Sequence, residues 1–151
     1  MEKISSQKRS QIMRAVKSRN NKSTELLLIR LFKNHHIIGW RRFPKITGNP
    51  DFYFPKFKAV IFVDGCFWHG HSCRKKYPAT NSQYWKTKIS NNRRRDKKIS
   101  KELKLRGYRV IRIWECDLKK AMLKRNLLPR PFKQLIDVIR QTIVPPTRSR
   151  R

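Results

Sequence analysis

The segment Asp64-Gly65-Cys66-Phe67-Trp68-His69-Gly70-His71-Ser72-Cys73 constrains this chain more than any other stretch. It puts two cysteines, two histidines, an acid and two large aromatic rings within a single run of ten residues. The residues before it, Phe57 to Val63, are mostly apolar and partly β-branched, so they read as a buried strand. Chemistry placed where a buried strand becomes a loop is a common active-site arrangement in α/β proteins. Metal ligation, acid–base work and stacking on bases are the three chemistries such a segment offers.

The charge balance names the partner. The chain carries 39 Lys and Arg against 9 Asp and Glu, a formal net charge of +30 over 151 residues. A surface this basic binds a polyanion through phosphate contacts that release counterions, so nucleic acid is expected, with steep salt dependence. A membrane is not expected. No apolar run approaches the ~20 residues of a span. Met1 to Ser6 has no apolar signal region, and no basic amphipathic helix carries an aromatic face. The length suits one domain, 1–151, with an N-terminal arm over 1–22 and a basic tail over 144–151.

The apolar pattern predicts a short basic helix over Gln7 to Ser18. A second helix follows Ser23 or Thr24, with its core face supplied by Leu26, Leu27, Leu28, Ile29, Leu31 and Phe32. Glu25 falls in the first turn, where an acid complements the helix dipole. Strands are expected at Ile37 to Phe43, Asp51 to Phe54 and Phe57 to Asp64, with a tight turn at Pro55-Lys56. A long basic helix from Tyr84 stops at Gly107. Tyr108 to Glu115 reads as a core strand, with Trp114 in its core, and Pro129 opens a last helix with Phe132, Leu135, Ile136 and Ile139 on one face. The order α-α-β-β-β-α-β-α implies an α/β fold with a mixed central sheet flanked by helices.

Cys66, His71 and Cys73 lie close together in sequence, and Cys116 follows the last strand. If the third and fourth strands are neighbours, Cys116 approaches the loop. A Cys₃His set would close a tetrahedral structural zinc site that staples the loop to the sheet. The alternative is three free core thiols, since an odd count without a secretory signal argues against a disulfide framework. His69 is not needed for the metal, which makes it a candidate for catalysis.

Acids are scarce, and Asp51 follows Gly48-Asn49-Pro50 at the start of a strand. Pro-Asp followed by a strand and a hairpin is the layout of the PD-(D/E)XK nucleases, in which a strand-end acid holds Mg²⁺ against the scissile phosphate. The second half of that motif is missing, because Ala59 to Val63 are apolar. Metal would then be held by Asp51 with backbone carbonyls near Val63 and the carboxylate of Asp64. His69 would act as a general base or donate to the developing charge.

The chain resembles the very-short-patch repair (Vsr) DNA mismatch endonucleases. The matching pieces run in order from Arg9-Ser10-Gln11-Ile12-Met13-Arg14-Ala15-Val16 through Thr24-Glu25, Pro50-Asp51-Phe52 and Val60 to His71. They continue with Cys73, Pro78-Ala79-Thr80, Tyr84-Trp85, Lys88-Ile89, Asn92, Arg95-Asp96, Gly107 to Val110 and Trp114-Glu115-Cys116. The resemblance implies a restriction-endonuclease-like fold and a bacterial, cytoplasmic, nucleoid-associated monomer. Its activity would be nicking of double-stranded DNA 5′ to the mispaired thymine of a T:G mismatch left by deamination of 5-methylcytosine.

The resemblance also assigns residues. It makes Asp51 the Mg²⁺-binding aspartate, with the Val63 carbonyl as a second ligand, and His69 the catalytic histidine. Glu25 and Asp96 become acids near the active site. Cys66, His71, Cys73 and Cys116 become structural zinc ligands. Phe67, Trp68 and Trp85 become aromatics that wedge beside the mismatch, where unstacking is cheaper than at a matched step. Met13 becomes part of an arm entering from the opposite groove. Position 64 is His in some members, so Asp64 is free to contact metal or orient His69. Arg93, Arg94 and Arg95 are expected to form a phosphate rail. Mismatch-repair proteins are possible partners. Two alternatives remain at this level: a zinc-stapled DNA-binding protein without catalysis, and a Vsr-like nuclease of altered specificity.

Overall fold

The structure is a computed structural model that describes residues 21–73, 78, 79, 81–124, 128–130, 132, 133 and 136. The helix expected over Gln7 to Ser18, Met13 within it, and the basic tail lie outside the described residues.

Helix α1 (Glu25–Asn34) buries Leu28, Leu31 and Phe32, an i, i+3, i+4 stripe; of the other residues expected on its core face, Leu27 and Ile29 are partly buried against it and Leu26 is exposed. It ends where His36 turns left-handed (φ 52) and the Ile37 amide bonds back to the Phe32 carbonyl at 2.8 Å, a six-to-one closure that satisfies an orphan carbonyl. That turn, with Gly39 at φ 82 and Phe43 at φ 48, leaves little extended chain. The strand expected over Ile37 to Phe43 therefore shrinks to β1 (Arg41–Arg42).

Strand β2 (Phe52–Phe54) pairs antiparallel with β1 and with β3 (Ala59–Asp64). A 3-10 turn, Pro55–Phe57, joins β2 to β3 and closes on left-handed Lys58, so β3 begins at Ala59 rather than Phe57. The long helix α2 (Ser82–Leu105) is the crossover to β4 (Arg109–Trp114), which lies parallel to β3 in unbroken register from Ala59 opposite Arg109 to Asp64 opposite Trp114. The sheet order is β1-β2-β3-β4.

Helix α3 (Glu115–Leu123) follows β4 without a break. Sequence reasoning missed it and left Cys116 at the end of a strand. The signal was present in Glu115 and Asp117, acids in a first turn that suit the helix dipole. Among the residues after Pro129, Arg130, Phe132, Lys133 and Ile136 are helical.

The period of two along β3 sorts its side chains between two layers. Ala59 and Ile61 face a core built with Leu28, Leu31, Phe32, Phe52, Phe54, Ile113, Leu118, Phe132 and Ile136. Val60 and Phe62 face Leu103, Ile99 and Val110 on the other side, under α2. By the same alternation Asp64 and Arg112 belong to the α2 side. The α2 positions that meet the sheet and its exit loop, Trp85, Ile89, Asn92, Asp96, Ile99 and Leu103, recur at three- and four-residue spacing. The lysines and arginines between them are exposed. The helix is thus a cationic rod with one apolar stripe, and two polar residues within that stripe meet the site. Among the described residues no helix is long and apolar enough to cross a membrane.

Candidate active site and metal centre

Asp51 sits just before β2, where Gly48 (φ 82) and Asn49 (φ 49) reverse the chain. Gly48 has no room for a side chain, since a Cβ there would lie 2.4 Å from Ile99. The Asp51 amide donates to the Ile61 carbonyl at 2.9 Å, and its Oδ2 accepts the Val63 amide at 2.7 Å. The carboxylate is thereby pinned across the sheet, against the C-terminal end of β3.

Burial pushes the Asp51 carboxyl up to about 6, opposed by the Val63 amide; nearby Glu25 and Asp64 push it further up and Arg112 pulls it down. A folded pKa raised above the ordinary value of 3.8 penalises the folded state as the group ionises. The penalty is absent below pH ~4, grows between pH ~4 and ~6, and is complete above that. Asp51→Asn is therefore expected to stabilise the protein in Mg²⁺-free buffer by about 1–3 kcal/mol at pH 7.5 and by nothing measurable at pH 3.5. Urea unfolding at the two pH values checks this, and equal effects at both would exclude a strained carboxylate.

Glu25 is buried at the start of α1 and pairs with Arg42 Nη2 at 2.6 Å. Its place is therefore more than a dipole complement on a solvated helix end: it puts a second carboxylate close enough to act on Asp51.

His69 lies in the compact turn that leaves β3. The amides of His69 and His71 bond back to the carbonyls of Gly65 and Cys66 at 3.2 and 2.9 Å. Gly70 is left-handed (φ 63), and a Cβ there would lie 2.6 Å from Ile89, so glycine lets the loop press against α2. Asn92 Nδ2 holds the Trp68 carbonyl at 2.8 Å from the helix side.

In this setting His69 Nδ1 meets Asp96 Oδ2 at 2.5 Å and lies 3.7 Å from Asp64 Oδ1. A carboxylate only accepts, so Nδ1 carries the proton and Nε2 is left as the acceptor nitrogen of the neutral ring. Asp64 is buried, and Arg112 spans both its oxygens at 2.6 and 2.8 Å. Arg112 also reaches Asp96 Oδ1 at 3.2 Å. Sequence reasoning missed Arg112. An arginine set between Ile111 and Ile113 in the middle of β4 was the available signal.

Cys66, His71, Cys73 and Cys116 come together as the sequence predicts. One donor atom from each lies within 4.8 Å of all the others. Tetrahedral zinc, with bonds of about 2.0–2.3 Å, holds its ligand atoms roughly 3.5 Å apart, so this cluster fits a closed four-ligand site. Cys116 comes from the first turn of α3, and its amide points to Cys66 Sγ at 3.4 Å. Its Sγ is 3.4 Å from His71 Nδ1, whose ring stacks on Trp114 with centroids 4.2 Å apart. Trp114 is thus half-buried beside the cluster rather than sunk in the core. Burial and the neighbouring thiols push the Cys116 thiol up to about 12, and burial is the chief cause of a raised Cys66. Crowded thiols that resist ionising alone are the donor set that a soft divalent cation resolves.

Phe67, Trp68 and Trp85 form one edge-to-face cluster with centroids 5.2–6.0 Å apart, and Tyr84 packs on Trp85 at 5.1 Å. Trp85 is buried at the base, Phe67 and Trp68 are half-exposed, and Tyr84 is exposed. Arg93, Arg94 and Arg95 are exposed on α2. Arg93, Lys97, Lys101 and Lys104 rim a groove that runs past His69, Asp96, Arg112 and Trp114.

Asp51, Asp64, Asp96 and His69 therefore share one end of the β3–β4 pair, between a thiol–imidazole cluster and a cationic helix. A family profile described as DNA mismatch endonuclease Vsr matches residues 1–75. A type II nicking enzyme of Neisseria meningitidis, V.NmeAIP, is 37% identical over 87% of this chain and 94% of its own length. The nicking enzyme V.XorIIP of Xanthomonas oryzae is 36% identical over 78% of this chain and 86% of its own length. The DNA mismatch endonuclease Vsr of Escherichia coli K12 is 37% identical over 74% and 71%. With its acids, histidine and thiol cluster gathered at one edge of a mixed sheet, the chain belongs to the Vsr family of DNA mismatch endonucleases.

Proposed function

We propose that this endonuclease nicks one strand of a DNA duplex 5′ to the mispaired thymine of a T:G mismatch, and that it uses Mg²⁺ for the cut and zinc for structure. The observation that carries the reading is Asp51. It is a carboxylate fixed by a backbone amide, held at an unfavourable charge by burial, Glu25 and Asp64, and set in the same end of the fold as the oriented imidazole of His69. A divalent cation relieves that charge, so the residues present fit Mg²⁺, with Asp51 and the Val63 carbonyl as its protein ligands. Bound there, the cation supplies Lewis-acid stabilisation of charge developing on the phosphate.

The chain's own residues do the rest. Asp96 holds His69 Nδ1–H, so Nε2 can take a proton from the attacking water or, once protonated, donate one to charge on the phosphate. Phe67 and Trp68, half-exposed beside His69 and backed by Trp85, form the wedge that enters the weakly stacked mismatch step. Arg93, Arg94 and Arg95 hold the flanking phosphates. Cys66, His71, Cys73 and Cys116 bind zinc and tie the wedge loop to β4 and α3.

Two otherwise identical duplexes, one with T:G and one with T:A, test the reading in Mg²⁺ buffer. A single-strand nick in the T:G duplex alone is the expected result. Cleavage of both means that recognition has moved away from the mismatch. Tight binding without cleavage of either favours a DNA-binding protein that lacks catalysis or a cut that needs other bases beside the mismatch.

A further inference from the structure

A charged side chain in the middle of a sheet strand needs a reason, because its burial costs more than that of almost any other residue unless it is paired. Arg112 occupies such a position. It pairs in register with Phe62, and its guanidinium carbon lies 4.8 Å from the Phe62 ring centroid, on the face covered by α2. Its donors point inward. Nε and Nη2 grip Asp64 at 2.6 and 2.8 Å, Nη2 also reaches Asp96 Oδ1 at 3.2 Å, and Nη1 reaches Ser100 Oγ at 3.4 Å. With its fork committed to these groups, Arg112 has no pair of donors left to grip a phosphate. The other oxygen of Asp96 holds His69. A continuous chain therefore runs from Asp64 through Arg112 and Asp96 to the imidazole.

The geometry points to Arg112 as a positioning residue for the cut. Asp64 anchors the guanidinium, the guanidinium fixes Asp96 by one oxygen, and the second oxygen then holds His69 in one tautomer and one ring orientation. This inference rests on the reading of His69 as the acid–base group, and it gives Asp64 a role at one remove from the chemistry. The competing account is that Arg112 serves only to neutralise Asp64 during folding. Lysine separates the two, because it keeps the charge but has neither the fork nor the reach to grip both carboxylates.

The test compares the zinc-loaded full chain with its Arg112→Lys and Arg112→Met variants. Measured are the single-turnover nicking rate on a T:G duplex, duplex affinity, zinc content, the melting temperature and the low-field imidazole N–H proton of His69, identified by its loss in His69→Ala. Arg112→Lys is expected to keep affinity, zinc and melting temperature close to those of the unsubstituted protein. Its nicking rate should fall by about 10–100-fold and the His69 proton should shift or broaden. Arg112→Met should lose at least as much rate, and if it does not fold, Arg112→Lys carries the test. A normal rate with an unmoved proton in Arg112→Lys overturns the inference. So does a rate that falls only in step with zinc, affinity and melting temperature. If the unsubstituted protein fails to nick, the functional reading fails instead. The proton then decides separately: its retention in Arg112→Lys overturns the positioning role, and its displacement supports it.

Discussion

Asp51→Ala should abolish nicking of a T:G duplex, lowering the single-turnover rate by at least ~10³-fold while duplex affinity changes by less than about tenfold. The two effects separate for an electrostatic reason. Affinity comes from many exposed cations acting on phosphates, and removing one acid from a chain of net charge +30 leaves that field intact. The cut depends on charge stabilisation at a single point, and the Asp51 carboxylate, bonded to the Val63 amide, is what the proposed cation would share with the scissile phosphate. Nicking assays at saturating protein, with affinity measured on the same duplex, check the prediction. Unchanged nicking would remove Asp51 from the mechanism, and a parallel loss of binding would reduce it to a folding role.

Cys116→Ser should cost the protein its zinc and its stability together. One equivalent of zinc per chain is expected in the unsubstituted protein, and the variant should retain little of it. The loss should amount to several kcal/mol, because in a structural site the free energy of metal binding is folding free energy. Cys116 is the proposed ligand that lies farthest from the others in sequence. It brings the first turn of α3 to a loop that leaves β3, and the other three ligands all belong to that loop. Without it the wedge residues Phe67 and Trp68 would lose the tie that fixes their loop to the end of the sheet. Metal analysis and thermal unfolding of the variant check both halves. Full retention of zinc would remove Cys116 from the site.

The turn that carries His69 is tied to the rest of the fold on two sides. His69 sits in a turn that is not part of the sheet, closed by its own bonds from the His69 and His71 amides to the Gly65 and Cys66 carbonyls. The Asn92 bond to Trp68 and the tight approach of Gly70 to Ile89 hold it to α2 on one side. The thiol–imidazole cluster holds it to α3 on the other. The proposed role of His69 requires one tautomer against one carboxylate, and these ties would hold the turn still enough for it.

Much of this was legible in the residues alone. The apolar, partly β-branched run from Ala59 to Val63 marked a buried strand, although the strand was expected to begin two residues earlier, at Phe57. Residue chemistry singled out Cys66, His71 and Cys73, and Cys116 joined them only on the condition that the third and fourth strands are neighbours, which they are. Charge named a polyanionic partner before any fold was known. Local patterns misled where the backbone departs from regular geometry. Left-handed residues at His36 and Phe43 cut the first strand to two residues, and nothing in the side-chain pattern announces them. Helix α3 hid behind a strand that runs straight into it.

What no local pattern held was the network around His69. Asp64, Asp96 and Arg112 come from a strand, a helix and a second strand up to 48 residues apart. Each could be noticed in its own segment, an acid at a strand end, an acid in a cationic helix and a cation between two isoleucines, but nothing local says that the three meet. The parallel register of β3 and β4 sets Arg112 beside Phe62 and within reach of Asp64, and the crossover lays the stripe of α2 over both. Ligand chemistry and charge travel with the residues themselves. The pairing of these charges depends on which strands are neighbours and in which register, and packing across the whole chain sets that.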